Sequence, residues 1–313
     1  MIKKHTFDSL QREYGVREAE RLAFIDFVLQ FKGALSRIDL TAFFGLKEAA
    51  ASKAIAQYRE LRPDNVEYER SLGKNVIVRA SFDPLIHLES EVALGMLANG
   101  FNKNKLLEDS LLPYVRIGNI SQKLNVEFVS RITRAISEKS AISCKYFSAT
   151  SSNHGDRTLF PTAIFYDGMS WMFRAYHKNL EANTGSFKCF NFSRLVSVTE
   201  MSKMYANKGE DLNADNDWHL TTPIVLKIHP YLKPDQQAIL RYEYGVNPDT
   251  DEFVINTKAV LFYYLAKQWK IDVRSIVTAP LDTSAEFYNF HLQNRSTLEH
   301  LHCMENVFKI FPS

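Results

Sequence analysis

Asp167-Gly168 stands between two runs dominated by aromatic and aliphatic side chains, residues 157–166 before it and residues 169–177 after it. An Asp-Gly pair in that setting predicts a tight β-hairpin, because both central residues of such a turn need φ > 0. Strand parity then sorts the second arm: Trp171, Phe173 and Ala175 share one face, and Met172, Arg174 and Tyr176 the other. A third run, residues 187–198, follows a polar loop (178–186) and carries Arg194. The whole stretch predicts a small, twisted antiparallel sheet that sets guanidinium groups beside aromatic rings.

The chain around this sheet is long enough, at 313 residues, for two or three domains with cores of their own. Lys and Arg number 38 against 36 Asp and Glu, so net charge alone points to no polyanionic partner. Residues 1–80 are mildly basic, with 14 Lys/Arg against 11 Asp/Glu. The three cysteines, Cys144, Cys189 and Cys303, are far apart and form no Cys-x-x-Cys pair, which argues against a disulfide framework and a structural zinc. Residues 1–15 lack the apolar stretch of a signal peptide, and no apolar run has membrane-spanning length, so a cytosolic location is expected.

Residues 8–32 predict one helix with a wide apolar face. Leu22, Ile25 and Leu29 form one stripe and Phe24, Phe27 and Phe31 a second, until Gly33 stops it. A short helix over 37–44, Gly45, and a longer helix over 47–61 ended by Pro63 complete a helix-turn-helix pattern. In the last helix Leu46, Ala50 or Ala51, Ala54, Ile55, Tyr58 and Leu61 supply a buried face. Lys47, Ala49, Ser52, Lys53 and Gln57 fall on the other side. Small residues with Ser, Lys and Gln suit entry into the DNA major groove, where Gln pairs with adenine and Lys with guanine or phosphate. A solvated amphipathic helix without a partner has the same pattern. What tips the balance is the next segment: runs 65–70 and 76–81 flank a glycine turn and form a hairpin, hence a wing. Its Arg70, Lys74 and Arg79 are expected to meet phosphates.

Residues 84–124 predict a helical connector, helical near Leu88, Val92 and Met96 and looped at Asn102–Lys105 and Gly118-Asn119. An amphipathic helix over 125–139 buries Val126, Val129, Ile132 and Ile136, with a Glu127–Arg131 surface pair. Strands are expected at 141–147, 157–166, 169–177, 187–192 and 194–201. One helix and five short strands are the layout of an Sm-like, SH3-type barrel. Past the acidic stretch 209–217 the pattern is strand (223–229), helix (234–245), strand (252–257), helix (258–270). A capping box at Ser296-x-x-Glu299 opens a final helix to about 308.

The central segment resembles the WYL domain of bacterial transcriptional regulators. Trp171-Met172-Phe173 stands at the eponymous Trp-Tyr-Leu, preceded by Asp167-Gly168 and followed by Arg174-Ala175-Tyr176 and Phe192-Ser193-Arg194, with Arg157-x-x-x-Pro161 upstream. Within that family the chain looks most like the repressors found beside the BREX and CBASS phage-defence systems. The resemblance implies a winged helix at the front, a WYL barrel with a nucleic-acid-derived ligand, and a C-terminal extension for dimerisation or effector response.

Arg174 stands mid-strand among apolar neighbours, where an unpaired charge is costly, so it needs an acidic partner or an anionic ligand. Arg157, Arg194 and Lys188 lie on nearby strands; Tyr146 and Tyr176 can stack a base, and Ser148 and Ser193 can donate to phosphate. The blander reading has these arginines tying the barrel to its neighbours, and Trp171 and Phe173 as plain barrel core. Enzyme readings find no phosphate loop, dinucleotide fingerprint or nucleophile elbow. His154-Gly155-Asp156 has no nucleophile beside it, and His300 with Cys303 is too sparse for a metal site.

The expected architecture is therefore α+β and multi-domain: a winged helix-turn-helix (1–83), a helical connector (84–124), a WYL barrel (125–208) and an α+β extension for dimerisation (209–313). The expected function is sequence-specific DNA binding as a homodimeric repressor of its own phage-defence operon, without cofactor, with a WYL domain that senses a nucleotide or nucleic-acid fragment and alters half-site spacing in response. A ligand-activated activator and a single-stranded RNA-binding module are the alternatives.

Overall fold

The computed structural model describes residues 5–107, 123–148, 155–247, 249–275 and 288–310. The Gly118-Asn119 loop and His154 lie outside them. The chain divides into two compact units, one formed by residues 1–166 and 170–211, the other by residues 167–169 and 212–313.

The first unit begins with a helix the sequence reads as one and the structure makes two. Helices α1 (Phe7–Tyr14) and α2 (Val16–Lys32) meet at Gly15, whose φ of 82° and ψ of 158° no helix accommodates and few side chains tolerate. Helix α3 (Arg37–Phe44) has the expected bounds because its ends are locally encoded. Asp39 N–H donates to Ser36 Oγ, Ser36 N–H donates back to Asp39 Oδ2 at 2.6 Å, and Gly45 caps the other end. Helix α4 (Glu48–Leu61) buries Ala51, Ala54, Ile55 and Tyr58, as its spacing predicts.

The wing is a hairpin of β2 (Val66–Glu69) and β3 (Lys74–Ile77), with Glu69 opposite Lys74. A third strand, β1 (Ala34–Leu35), pairs antiparallel with β3 and was not expected. Helix α5 (Ser90–Asn99) then occupies part of the connector.

Helix α6 (Val126–Glu138), capped by Asn125, packs on α2 and on the central sheet. That sheet contains β4 (Ser140–Tyr146), β5 (Asp156–Tyr166), β6 (Trp171–Asn179), β7 (Thr184–Asn191) and β8 (Leu195–Tyr205), all antiparallel in the order β7-β6-β5-β4-β8. Among the described residues no pairing joins β7 to β8, so the sheet is open where closure into a barrel was expected. The central hairpin also differs in detail. Tyr166 pairs with Trp171, leaving a loop of residues 167–170 in which Gly168 has positive φ (92°) and Asp167 does not. Asp167 instead accepts the Met169 N–H at 2.9 Å, so the pair makes a wider turn than a two-residue one.

One apolar core runs through this unit. Leu22, Ile25 and Phe31 of α2, Tyr58 of α4, Ile132 of α6, and Ile142, Phe173 and Phe190 of the sheet belong to it. The buried residues of the helix-turn-helix and of the sheet are thus contiguous.

The second unit has a four-stranded sheet in the order β10-β9-β12-β11: β9 (Thr221–Ile228), β10 (Glu252–Lys258), β11 (Ile271–Asp272) and β12 (Phe290–Leu292). A one-turn helix α7 (Asn216–His219) precedes it, and α8 (Pro234–Tyr244) and α9 (Phe262–Gln268) intervene. Ile224, Leu226, Phe262 and Phe290 form its core. The last two strands escaped the sequence pattern. The long final helix is also corrected: it is broken into α10 (Arg295–Leu298), a 3-10 turn, and α11 (Glu305–Ile310). Ser296 lies inside α10 and caps nothing. The cap position is Asn294, whose side chain is engaged by β9 instead, accepting from Val225 N–H and donating to the Pro223 carbonyl. Among the described residues no helix is long and apolar enough to cross a membrane, and no group of three His, Cys, Asp or Glu could hold a metal.

Candidate DNA-reading helix and ligand sheet

Helix α4 presents an outward stripe. Lys47, Ala49 and Lys53 are exposed and Ser52 and Gln57 half-buried, while Ala56 and Glu60, which the sequence reading did not single out, complete the same face. The inward face is fixed by a buried polar network. Tyr58 Oη donates to Asp26 Oδ1 at 2.6 Å, and Asn65 Nδ2 donates to Tyr58 Oη at 3.0 Å. Asp26 also accepts from the Leu85 and Ile86 N–H groups. Burial pushes the Asp26 carboxyl up to about 6, against the lowering effect of those hydrogen bonds, and burial together with the Asp26 charge raises the Tyr58 phenol. Arg59 donates to Asn75 Oδ1 at 3.0 Å, which ties the helix to the wing.

At the wing tip Arg70 and Lys74 are both exposed. Arg79 is not placed with them. Its guanidinium bonds Glu138 of α6 and reaches Glu200 of β8 at 3.4 Å, so it works inside the unit and not toward phosphate. Glu200 is also the anchor of Arg134, a buried residue of α6 that the sequence reading missed. Burial opposes ionisation of Glu200, but the Arg134 and Arg79 guanidiniums hold its carboxyl below the usual range.

The eight expected ligand residues divide between the two faces of the central sheet. On the core face, Arg157 is registered with Cys144, Leu159 with His177, and Ala175 with Lys188. There the Arg157 guanidinium lies 5.5 Å from the centre of the Tyr146 ring, and Lys188 Nζ is 3.3 Å from His177 Nδ1. Burial, then Lys188 and Arg157, lower the His177 pKa, and burial pushes the Cys144 thiol up to about 12. His177 was not anticipated, although extending the alternation of Phe173 and Ala175 by one step reaches it. Tyr146 Oη accepts the Asn191 N–H at 3.0 Å, and Asn191 Oδ1 in turn accepts from Ser193 Oγ at 2.7 Å. Phe147 N–H donates to the Arg194 carbonyl, bringing half-buried Ser148 and exposed Arg194 to this end of the sheet.

Arg174 and Tyr176 are on the other face. Arg174 is 3% exposed; its Nη1 is 3.5 Å from Cys189 Sγ and its guanidinium 5.8 Å from the Phe187 ring centre. Tyr176 packs edge-on against the same Phe187. Lys178, next on this face, lies over Phe160 and bonds Glu210 at 2.7 Å. A single pocket containing both Arg157 and Arg174 is therefore ruled out by the sheet between them.

Three family models match in succession. Residues 17–97 match the winged helix-turn-helix domain of the BrxR transcriptional regulator, residues 127–200 the WYL domain, and residues 221–298 the C-terminal dimerization domain of the BrxR transcriptional regulator. In this order the three matches give the chain the domains of a WYL transcriptional regulator. Relatives of this chain include the DNA-binding transcriptional repressor CapW of Escherichia coli, 28% identical over 294 residues (87% of this chain, 90% of the relative). CapW of Pseudomonas aeruginosa is 26% identical over 300 residues, covering 91% of each chain. CapW of Stenotrophomonas maltophilia is 25% identical over 295 residues, 90% of this chain and 94% of its own. Among solved structures, the chain aligns with proteasome accessory factor B/C of Arthrobacter aurescens at 13% identity and a TM-score of 0.23. That alignment covers 99% of this chain and 50% of the other.

Proposed function

We propose that this regulator is a homodimeric, sequence-specific DNA-binding repressor that occupies the promoter of its own phage-defence operon, relieved by a nucleotide or nucleic-acid-derived effector. The observation that carries the DNA half is the stripe Ala49, Ser52, Lys53, Gln57 on a helix locked from behind by Tyr58 and Asp26 and flanked by exposed Arg70 and Lys74. At 1.5 Å per residue, α4 is about 21 Å long and suits the major groove. The naming of the relatives as DNA-binding transcriptional repressors supports the sign. One winged helix reads few base pairs, and two copies on half-sites a helical turn apart supply the rest. The effector half rests on the core-face group of Tyr146, Arg157, His177 and Lys188, where two cations and two rings suit a phosphate with a base.

The test is fluorescence anisotropy with the duplex upstream of the protein's own operon, a scrambled duplex, and a salt series. Preference for the upstream duplex by roughly a thousandfold supports a specific autoregulator. Equal, steeply salt-dependent binding of both reduces it to phosphate contact.

A further inference from the structure

Helix α8 has eleven residues and none is buried. Its inner side is nonetheless occupied: the Tyr244 ring packs against Trp269 (5.3 Å) and Phe290 (5.2 Å), and Leu240 lies on the core of its unit. The outer side carries Asp235, Ala238, Ile239 and Tyr242 at spacings of three, four and seven, one stripe of the helix. Ile239 is 55% and Tyr242 92% exposed. Single exposed apolar residues are ordinary, but a tyrosine this bare beside an isoleucine on one stripe marks a contact surface. The stripe lies within residues 221–298, which match a dimerization domain, so the occupant it fits is a second copy of this chain.

A two-fold contact must be complementary to itself. Crossing two copies of α8 antiparallel, with the axis between Ala238 and Ile239, sets Asp235 opposite Tyr242 of the partner subunit, twice. The same crossing seats Ile239 on Ala238 of the partner subunit, a small residue that lets the helices approach to roughly 8–10 Å. A parallel pairing would instead oppose Asp235 to its own copy, carboxylate against carboxylate.

We propose that α8 forms the two-fold contact between two copies of this chain, with Ile239 and Tyr242 at its centre and the Asp235 carboxylate accepting a hydrogen bond from the Tyr242 hydroxyl of the partner subunit. This rests on the homodimer reading above and adds the surface and its register. Tyrosine is among the residues that carry most interface energy, and a phenol on a carboxylate is a charge-assisted bond.

The experiment is analytical ultracentrifugation of the full chain across a concentration series, with circular dichroism to confirm folding of each variant. Wild type is expected to dimerise, and Ile239→Asp or Tyr242→Glu to raise the dissociation constant by at least about thirtyfold. Asp235→Lys alone weakens the dimer, whereas Asp235→Lys with Tyr242→Glu restores it by setting lysine against glutamate across the axis. A wild-type chain that stays monomeric overturns the homodimer reading and this proposal with it. A dimer unchanged by the single variants overturns the role of α8 and leaves the homodimer standing. Weakening by the single variants without rescue in the double variant overturns the antiparallel register.

Discussion

Arg134 donates from Nε and Nη2 to the two carboxylate oxygens of Glu200, each at 2.9 Å, and from Nη1 to the Gln30 carbonyl at 2.7 Å. One side chain of α6 thus holds the sheet through β8 and the helix-turn-helix through α2. Glu200 pairs with Ile142 of β4, the strand that also carries Cys144 and Tyr146 of the candidate ligand face. The connection between the helix-turn-helix and the candidate ligand face is short and made of buried charge.

Glu200→Ala is expected to cost about 3–5 kcal/mol, because it strands the Arg134 guanidinium, whose side chain is 8% exposed, without its carboxylate. Arg79→Ala removes a pairing that is 35% exposed on the arginine side and should cost under about 1 kcal/mol. Urea unfolding of both variants checks the ordering; equal midpoints would show that the buried pair is not what joins α6 to β8.

Asp26 sets a pH dependence of opposite sign to the usual carboxylate. Its folded pKa, about 6, lies above the ordinary value of 3.8, so the folded state binds the proton more tightly. The contribution of Asp26 to stability is complete below about pH 4 and is lost as pH rises through 6. It amounts to about 3 kcal/mol for two pH units. Asp272 and Glu200, both held below their ordinary values, act in the other direction, so the comparison must be between variants. Asp26→Asn should abolish the Asp26 part of the slope: the stability difference between variant and wild type shifts in the variant's favour between pH 4 and pH 7.

On DNA, Gln57→Ala and Lys53→Ala should each weaken binding to the specific duplex about tenfold or more, since a lost base contact costs about 1–3 kcal/mol. Lys74→Ala should weaken all duplexes alike and reduce the salt slope by about 1. Arg79→Ala, engaged with Glu138 and Glu200, should leave the salt slope unchanged. Anisotropy titrations at several salt concentrations separate the three behaviours.

The split of the arginines across the sheet gives different expectations for Arg157 and Arg174. Arg157→Ala or Lys188→Ala should remove the response to an anionic effector and spare duplex affinity. Arg174→Ala, at a position 3% exposed, should lower the unfolding midpoint first. Since burial, Lys188 and Arg157 depress the His177 pKa, an anion bound there raises it and takes up a proton. Effector affinity should therefore rise as pH falls, and His177→Gln should flatten that profile in calorimetric titrations.

Much of the fold was legible because its signals are local. The capping pair Ser36 and Asp39 and the closing Gly45 delimit α3 to the residue, Asn125 opens α6, and alternation located all five strands of the central sheet within a few positions. Strands whose only reason is a distant partner were missed: Ala34–Leu35 has two residues and exists because β3, forty positions on, offers its edge. Phe290–Leu292 is likewise a strand because β9 and β11 flank it. The site residues followed the same division. Parity along β6 correctly separated Phe173 from Arg174, but which strands stand beside it, and in what register, is set by pairing across the chain. That pairing put Arg157 with Tyr146 and left Arg174 behind the sheet.

The sequence by itself determined the order of the parts, the helix-turn-helix with its outward Lys53 and Gln57, and the cationic and aromatic character of the central sheet. Periodicity and capping are written in neighbouring residues and need no partner. Only the tertiary structure decided that Arg79 serves Glu138 and Glu200 instead of the wing, that Arg134 joins two regions, and that the expected ligand residues occupy two faces. A charged side chain goes where its desolvation is best compensated, and the groups that compensate it are brought near only when distant segments pack.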